Sequence, residues 1–574
     1  MKSLSQSVIL GLAACLPLMA FVSEWMLSDT ALGVYLTLGL AMFLTLVLSS
    51  QRLSREKSWV YPAFLLCFST TVATMVLARS PYLHAGDAPG ELYAATHNSS
   101  GLPLEEQLEL HFPANYFSLP ILTVLPRILN VVAGIAPQET FRYLYLPMYV
   151  LTPVVLWLGL SKLLNARLAF VASFFFLAHY TFLGIVVSSA RETVGGFLAV
   201  LMVMMILGKQ VDREPALAFS ATLILIGLTL SNYSMTLVVS GMLVAYFVVA
   251  RLLRYPCSCF GFLPLVVAIP LTYYGMASSA EGVLADGVRV LFNVLTGRIS
   301  WAQLQLLQGV ESPSVYGYSP VYSTLIKFPS WVSYGCILAG AFQLLRNSPN
   351  GRLKIASIST LVYFGIVGLL TGSPAYNIDR AFQILLLILS GTFAVGIDWL
   401  TSALTNTIHF LRRPGILQGL FLLMLLTAQI GLFAELTGHG VSSTLDYHAP
   451  DEYLFHAQDF ADGRWLTQSL DPNAVSSISS DYDGPMRLYY YGISSLQVNF
   501  TGSDSGVDPL QAACSPGAIL YLHYNNVVWN RIVYDDYLQN GILVSQTLNQ
   551  SRLQTMNRIY DSGYSLFLTN CFDP

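Results

Sequence analysis

The sequence predicts a polytopic α-helical membrane protein that carries a C-terminal mixed α/β domain on the outer side of its membrane. Three observations predict it. Hydrophobic residues make up 54% of the 574 positions, charged residues only 10%, and the mean hydropathy is +0.58. A soluble chain carries roughly a quarter charged residues, so charge here is depleted by more than half. Apolar runs of about 15–21 residues recur as far as Phe433, the length a roughly 30 Å hydrocarbon core demands. Beyond them the composition changes: residues 437–574 hold 13 Asp, 1 Glu, 5 Arg and no Lys. That is a net −9 in a chain whose total is −4, which leaves +5 for the apolar part. Opposite charge balances imply two environments and a boundary near 435/436.

The apolar runs place spans near 7–23, 31–49, 58–78, 141–161, 168–187, 193–208, 216–232, 235–250, 259–276, 331–345, 355–371, 381–400 and 415–433, about thirteen in all. The first reads as a retained signal anchor, because a second span follows at once. Short loops on one side collect 15 basic residues, among them Arg52, Arg55, Lys162, Arg167, Arg251, Arg352, Arg412 and Arg413. The longer loops of the other side hold 8. The positive-inside rule then puts the N-terminus in the cytoplasm and the C-terminal domain outside, at a plasma membrane.

Two outer loops are long, near 79–140 and 277–330, and loops of that length usually act in function. Leu104–Phe112 and Val283–Leu295 have the pattern of helices lying along the membrane surface. The inner loops are too short for a nucleotide-binding domain, and no G-x-x-x-x-G-K-[ST] occurs, which argues against an ATP-driven pump. Nothing points to nucleic acid as a partner. In the C-terminal region, GAILYLHYNNVV and YSLFLTNC alternate as strands do, and Ser545–Ser562 reads as helix. Cys514 and Cys571 are the two cysteines there, so a disulfide is one open alternative.

The polar residues able to carry chemistry cluster at outer junctions. PYLHAGDAPGE (81–91) is a tight turn presenting Asp87 and Glu91 at the end of the third span. Asp87 reads either as a solvated loop acid or as a general base or metal ligand. SSARETVGGF sets Arg191 and Glu192 side by side at the start of the sixth span. They either mark the water boundary or line a cavity, and Gly195 and Gly196 permit a close helix approach. Arg380, in YNIDRAFQILLL, either snorkels at the interface or clamps a lipid phosphate. His111 and Lys327 are further candidates for an anionic pocket, with Arg127 beside them in the first loop.

An acid in a turn after an early span, a second acid at an outer span junction, a late outer Arg and an outer C-terminal domain together resemble the GT-C superfamily of membrane glycosyltransferases. GDAPGE, SSARETVGGFLAVLMVM and NRIYDSGYSLFLTN look more closely like an uncharacterised, mainly archaeal family of predicted multi-pass membrane proteins. The resemblance implies an inverting transfer of a sugar from a polyprenyl-phosphate donor to a glycan, lipid or protein acceptor. It implies Asp87 as the catalytic acid that deprotonates or orients the acceptor, Glu192 as the second acidic position, and Arg380 near the carrier phosphate. Glu91, His111, Arg191 and Lys327 join the substrate-binding set. It also implies a divalent cation, Mg or Mn, on Asp87 and Glu192. The first loop has no D-x-D, and the C-terminal region has no WWD-type sequence, which argues against oligosaccharyltransferase activity. Two other functions fit the same topology: a transporter or flippase, which needs ionisable or helix-breaking residues in mid-span, and a scaffold or receptor acting through its outer domain.

Overall fold

The computed structural model describes residues 6–26, 32–50, 58–79, 88–97, 119–183, 190–208, 214–255, 260–276, 320–347, 351–370, 378–407 and 414–429, and beyond these 465–466, 468–469 and seven short strands. Each expected span overlaps a helix, with shifted ends at several. In chain order they are α1 (Gln6–Met26), α2 (Leu32–Ser50), α3 (Val60–Arg79), α4 (Ala88–His97), α5 (Pro120–Ala133), α6 (Leu146–Leu160), α7 (Ala166–Leu177), α8 (Ala190–Gly208), α9 (Pro215–Ser231), α10 (Tyr233–Leu252), α11 (Leu263–Met276), α12 (Pro320–Asn347), α13 (Gly351–Leu370), α14 (Ile378–Thr407) and α15 (Pro414–Gln429). Helices α4 and α5 lie in the first outer loop of the sequence reading. The expected surface helices 104–112 and 283–295 fall outside the described residues, as do Asp87 and His111.

Among the described residues, five helical stretches are long and apolar enough to cross a membrane: Pro137–Leu160, Ala190–Gly208, Tyr233–Leu252, Phe328–Arg346 and Ala381–Thr405. Shorter apolar helices pack around them, so the chain is a multi-pass membrane protein. Local chemistry sets the helix ends. The Asn165 side chain accepts the Leu168 N–H at 2.9 Å and starts α7. Asn232, in extended conformation, separates α9 from α10 and caps α10 by accepting the Met235 N–H at 3.0 Å. Helix α7 ends sooner than the expected span, with His179 at the break before a single turn, Tyr180–Leu183. Helix α12 begins eleven residues before the expected 331, so Lys327 lies on a helix and not in a loop.

The core is one continuous apolar cluster running through most of these helices. Aromatic rings knit it: Phe64, Phe68, Phe170 and Phe174 join α3 to α7, and Phe175 stacks on Phe393 of α14 at 3.9 Å. Elsewhere the fit is backbone to backbone. Gly340 of α12 and Gly396 of α14 face one another so closely that a Cβ on Gly340 would overlap the Thr392 carbonyl oxygen, and one on Gly396 that of Cys336. This is the small-xxx-small approach favoured where lipid removes the hydrophobic drive for helix pairing.

Contacts of charged side chains between helices fall into two layers. At one end, Arg167 meets Asp398 at 2.6 Å, Gln418 donates to the same Asp398 oxygen at 2.8 Å, and Arg352 donates to the carbonyls that end α8, Leu207 and Gly208. These residues all border the basic loops of the sequence reading. Arg167, expected in an exposed loop, is 7% exposed. The other layer joins the opposite ends of the helices and contains the site described below.

In the C-terminal region, β1 (Ser477–Ser479), β2 (Asn499–Thr501), β3 (Ala518–Leu522), β6 (Met556–Asp561) and β7 (Leu566–Cys571) form a mixed sheet in the order β2-β1-β3-β7-β6. Strand β1 runs parallel to β2 and β3, and β7 antiparallel to β3 and β6. A hairpin of β4 (Arg531–Asp536) and β5 (Ile542–Thr547) stands apart from this sheet. The helix expected over Ser545–Ser562 is corrected: β5 occupies its start and β6 its end. Its apolar residues, Leu548 and Leu553 among them, are too sparse for a helical stripe, and long-range pairing decides such a segment. Strand β3 is buried along Ile519–Leu522, at the middle of its sheet. The Cys514 position lies outside the described residues.

Replacing Gly340 or Gly396 with Ala should destabilise the protein by about 1–3 kcal/mol, the cost of overpacking a close contact. Gly365→Ala, with open space around it, is the control. Thermal unfolding in detergent should show lowered midpoints for the first two and none for the third.

Candidate functional site

Helix α4 begins at Ala88, directly after Asp87, with Pro89 and Gly90 in its first turn. Proline is tolerated there because first-turn N–H groups have no intrahelical partner. Glu91 follows and is fully buried. Its carboxylate reaches across to the start of α8: one oxygen accepts the Ala190 N–H at 2.7 Å, and the other lies 3.2 Å from Arg191 Nε. The first N–H of α8 is thus met by a side chain 99 residues away, at the positive end of that helix dipole. Arg191 is 2% exposed, and its guanidinium lies over the Tyr233 ring, 5.6 Å from the centroid. A cation in the first turn opposes the helix dipole, so the Glu91 carboxylate and the aromatic face supply what the helix end withholds.

Around this pair, α4 packs on α5 and on the turn leading into α6. Leu92, Ala95, Leu119, Leu122, Phe141 and Tyr145 form a small apolar cluster with Ala190 and Val194. The Tyr145 hydroxyl donates to the Ile121 carbonyl at 2.5 Å. Gly195 lets α8 close on the α9–α10 break, since a Cβ there would sit 2.9 Å from that of Asn232. Gly196 faces elsewhere, with Gln383 Nε2 3.9 Å from where its Cβ would be.

Arg191 and Glu192 do not act side by side. Consecutive helical residues diverge by about 100°, and Glu192 turns from the ion pair into a small cavity with room for about one water-sized group. Thr152 of α6, Phe182, Thr193 and Gly196 of α8, and Gln383, Ile384 and Leu387 of α14 complete most of its wall. Glu192 is fully buried and Gln383 is 2% exposed. Arg380 occupies the first turn of α14, three residues before Gln383. By backbone position it is one turn from the cavity. Lys327 lies on α12 near the start of the membrane-crossing stretch. Asp87 lies outside the described residues.

Among the described residues, no three His, Cys, Asp or Glu side chains converge as a metal group. The cavity brings one carboxylate, the amide of Gln383 and two threonine hydroxyls, which are hard oxygen donors. Asp87 would have to complete any divalent site. The sequence reading missed Gln383, Thr152 and Tyr233. The signal for Gln383 was present, as the one amide in the apolar run AFQILLL; Thr152 and Tyr233 left no pattern.

The chain matches the family described as "Predicted membrane protein (DUF2206)" over residues 217–568, from α9 to β7. The chain belongs to that family. The match takes in Gln383, Arg380 and the C-terminal sheet, while Glu91, Arg191 and Glu192 precede it. No curated protein matches the chain. Among solved structures it is similar to ArnT from Cupriavidus metallidurans bound to undecaprenyl phosphate, at 11% identity and TM-score 0.43, covering 89% of this chain and 97% of that one. It is also similar to the Archaeoglobus fulgidus oligosaccharyltransferase in complex with Zn and sulfate, at 11% identity and TM-score 0.46, covering 84% and 73%. The same enzyme tethered to an acceptor peptide containing the NVT sequon gives 11% identity and TM-score 0.43, covering 86% and 74%.

Glu91→Gln should cost about 3–5 kcal/mol, because it leaves the buried Arg191 charge uncompensated. The double variant Glu91→Gln/Arg191→Met should recover most of that loss, as a double-mutant cycle on thermal or denaturant unfolding would show. Gly195→Ala should lower the unfolding midpoint by several degrees for about 1–3 kcal/mol of overpacking, while Gly196→Ala should leave it near wild type.

Proposed function

We propose that the chain is an integral membrane glycosyltransferase that moves a sugar from a polyprenyl-phosphate donor to an acceptor on the outer side of the membrane, with inversion. The observation that carries this reading is the contact of Glu91 with Ala190 and Arg191. It ties the helix that follows Asp87 in sequence to the helix that contains Glu192, so two segments 99 residues apart meet at one buried junction. Arg380 starts the helix that closes the same cavity. A base, a second acid and a cation at one end of a helical bundle suit transfer between a lipid-borne leaving group and a water-borne nucleophile.

In that reaction an acceptor hydroxyl gives its proton to Asp87 as its oxygen attacks the anomeric carbon. The bond from that carbon to the phosphate oxygen breaks on the opposite face, and polyprenyl phosphate leaves with the electron pair. Arg380, with Lys327 and His111, would stabilise the charge that develops on the phosphate. The Arg191 guanidinium is committed to Glu91 and Tyr233, so its part is to hold the two acidic segments in register. Asp87 and Glu192 would hold a divalent cation, which would supply Lewis-acid stabilisation of the leaving phosphate. The carrier chain, a membrane solute, would lie against the exposed apolar faces of the bundle, and the acceptor would arrive from the side of the C-terminal sheet.

The test supplies membranes containing the full chain with radiolabelled polyprenyl-phosphate hexoses and follows release of polyprenyl phosphate. Asp87→Asn should lower release by about 10²–10⁴-fold, the usual worth of a general base, with folding intact. Glu192→Gln should lower it at least about tenfold. Release that is indifferent to Asp87→Asn would remove this residue from catalysis. Movement of the intact lipid-linked sugar across the bilayer without release would put the flippase reading ahead.

A further inference from the structure

The cavity below the Glu91–Arg191 pair has a feature that the transfer reaction does not use. The Gln383 amide oxygen accepts no hydrogen bond among the described residues, although the residue is 2% exposed and lines the cavity. A buried acceptor left without a donor forfeits about 1–3 kcal/mol, and one that lines a cavity can recover that by meeting a donor there. The neighbouring polar atoms sharpen the chemistry. Glu192 contributes carboxylate oxygens, and Thr152 spends its hydroxyl proton on the Met148 carbonyl at 2.7 Å, which leaves it lone pairs to offer the cavity. An acceptor-rich pocket calls for a hydrogen-bond donor.

Size and position narrow the occupant. The free space is about that of one water molecule, so the cavity takes a single hydroxyl, one edge of a larger molecule. Gln383 is three residues beyond Arg380 on α14, about 5 Å along the helix axis. If Arg380 meets the carrier phosphate, the groups next to that phosphate come level with Gln383. Resting on the transferase reading, we propose that the Gln383 amide oxygen, beside the Glu192 carboxylate, receives a hydroxyl of the donor sugar and so selects the sugar that the protein accepts. A hydroxyl donor could come from the sugar or from a buried water, and the experiment separates the two.

The full chain in lipid nanodiscs is titrated with polyprenyl-phosphate glucose, mannose and galactose, with bare polyprenyl phosphate as reference, in wild type and Gln383→Met. The expected result is that one hexose lipid binds wild type at least about tenfold more tightly than the bare phosphate, the worth of a well-made buried hydrogen bond. Gln383→Met should lose that preference while binding bare polyprenyl phosphate unchanged, with an unaltered unfolding midpoint showing that the fold is intact. A sugar preference that survives in Gln383→Met overturns the inference and leaves the transferase reading standing. Survival together with a lowered midpoint assigns the amide oxygen to a structural water, and overturns the inference equally. If wild type binds neither the hexose lipids nor the bare phosphate, the transferase reading falls and this inference with it.

Discussion

Two charges removed from water cost far more than their bare attraction returns unless other groups help, and Glu91 and Arg191 are 0% and 2% exposed. The helpers are the Ala190 N–H at the positive end of α8 and the face of Tyr233. Each satisfies a demand that the pair alone would leave open. The consequence is geometric. Helix α4 cannot leave the start of α8 without exposing one charge and stranding the other, so the first outer segment is held against the junction of α8 with α10. The cavity beneath and the placement of Glu192 depend on that register.

The same logic operates at the other end of the bundle. Arg167, in the first turn of α7, opposes the dipole of its own helix, and Asp398 of α14 answers it at 2.6 Å, with Gln418 of α15 donating to the same oxygen. Asp398 keeps a third of its side chain accessible, so this pair is cheaper to maintain than the one at the site. The buried charged side chains among the described residues, Glu91, Arg167, Arg191 and Glu192, all lie in first turns of helices. Between the two layers the helices meet through apolar side chains, aromatic stacks, the bare backbones of Gly340 and Gly396, and short hydroxyl contacts such as Ser357 with Thr392 at 2.7 Å and Ser69 to the Val150 carbonyl at 2.8 Å.

Gln383 is the residue whose meaning changed most. In the sequence it is one amide within an apolar run and is not singled out. In the structure it is buried, lacks a donor for its oxygen among the described residues, and shares a cavity with Glu192 from a helix nearly 200 residues away. The adjacent pair Arg191 and Glu192 shows the reverse. Neighbours in the chain, they divide between an ion pair and a cavity because a helix turns each residue away from the last.

The sequence by itself determined the membrane character, the positions of the apolar helices, the compositional shift near residue 436 and the residues worth watching at the outer junctions. Those properties are local: hydropathy, charge balance and turn chemistry act over some twenty residues and can be read in a window of that size. Only the tertiary structure decided that Glu91 partners Ala190 and Arg191, that Arg167 is buried against Asp398, that residues 542–547 and 556–561 are strands, and that Glu192 and Gln383 share one cavity. Each of those depends on which faces of distant segments meet. That is a matter of packing and of matching buried polar groups across the fold, and neither leaves a periodic trace in the chain.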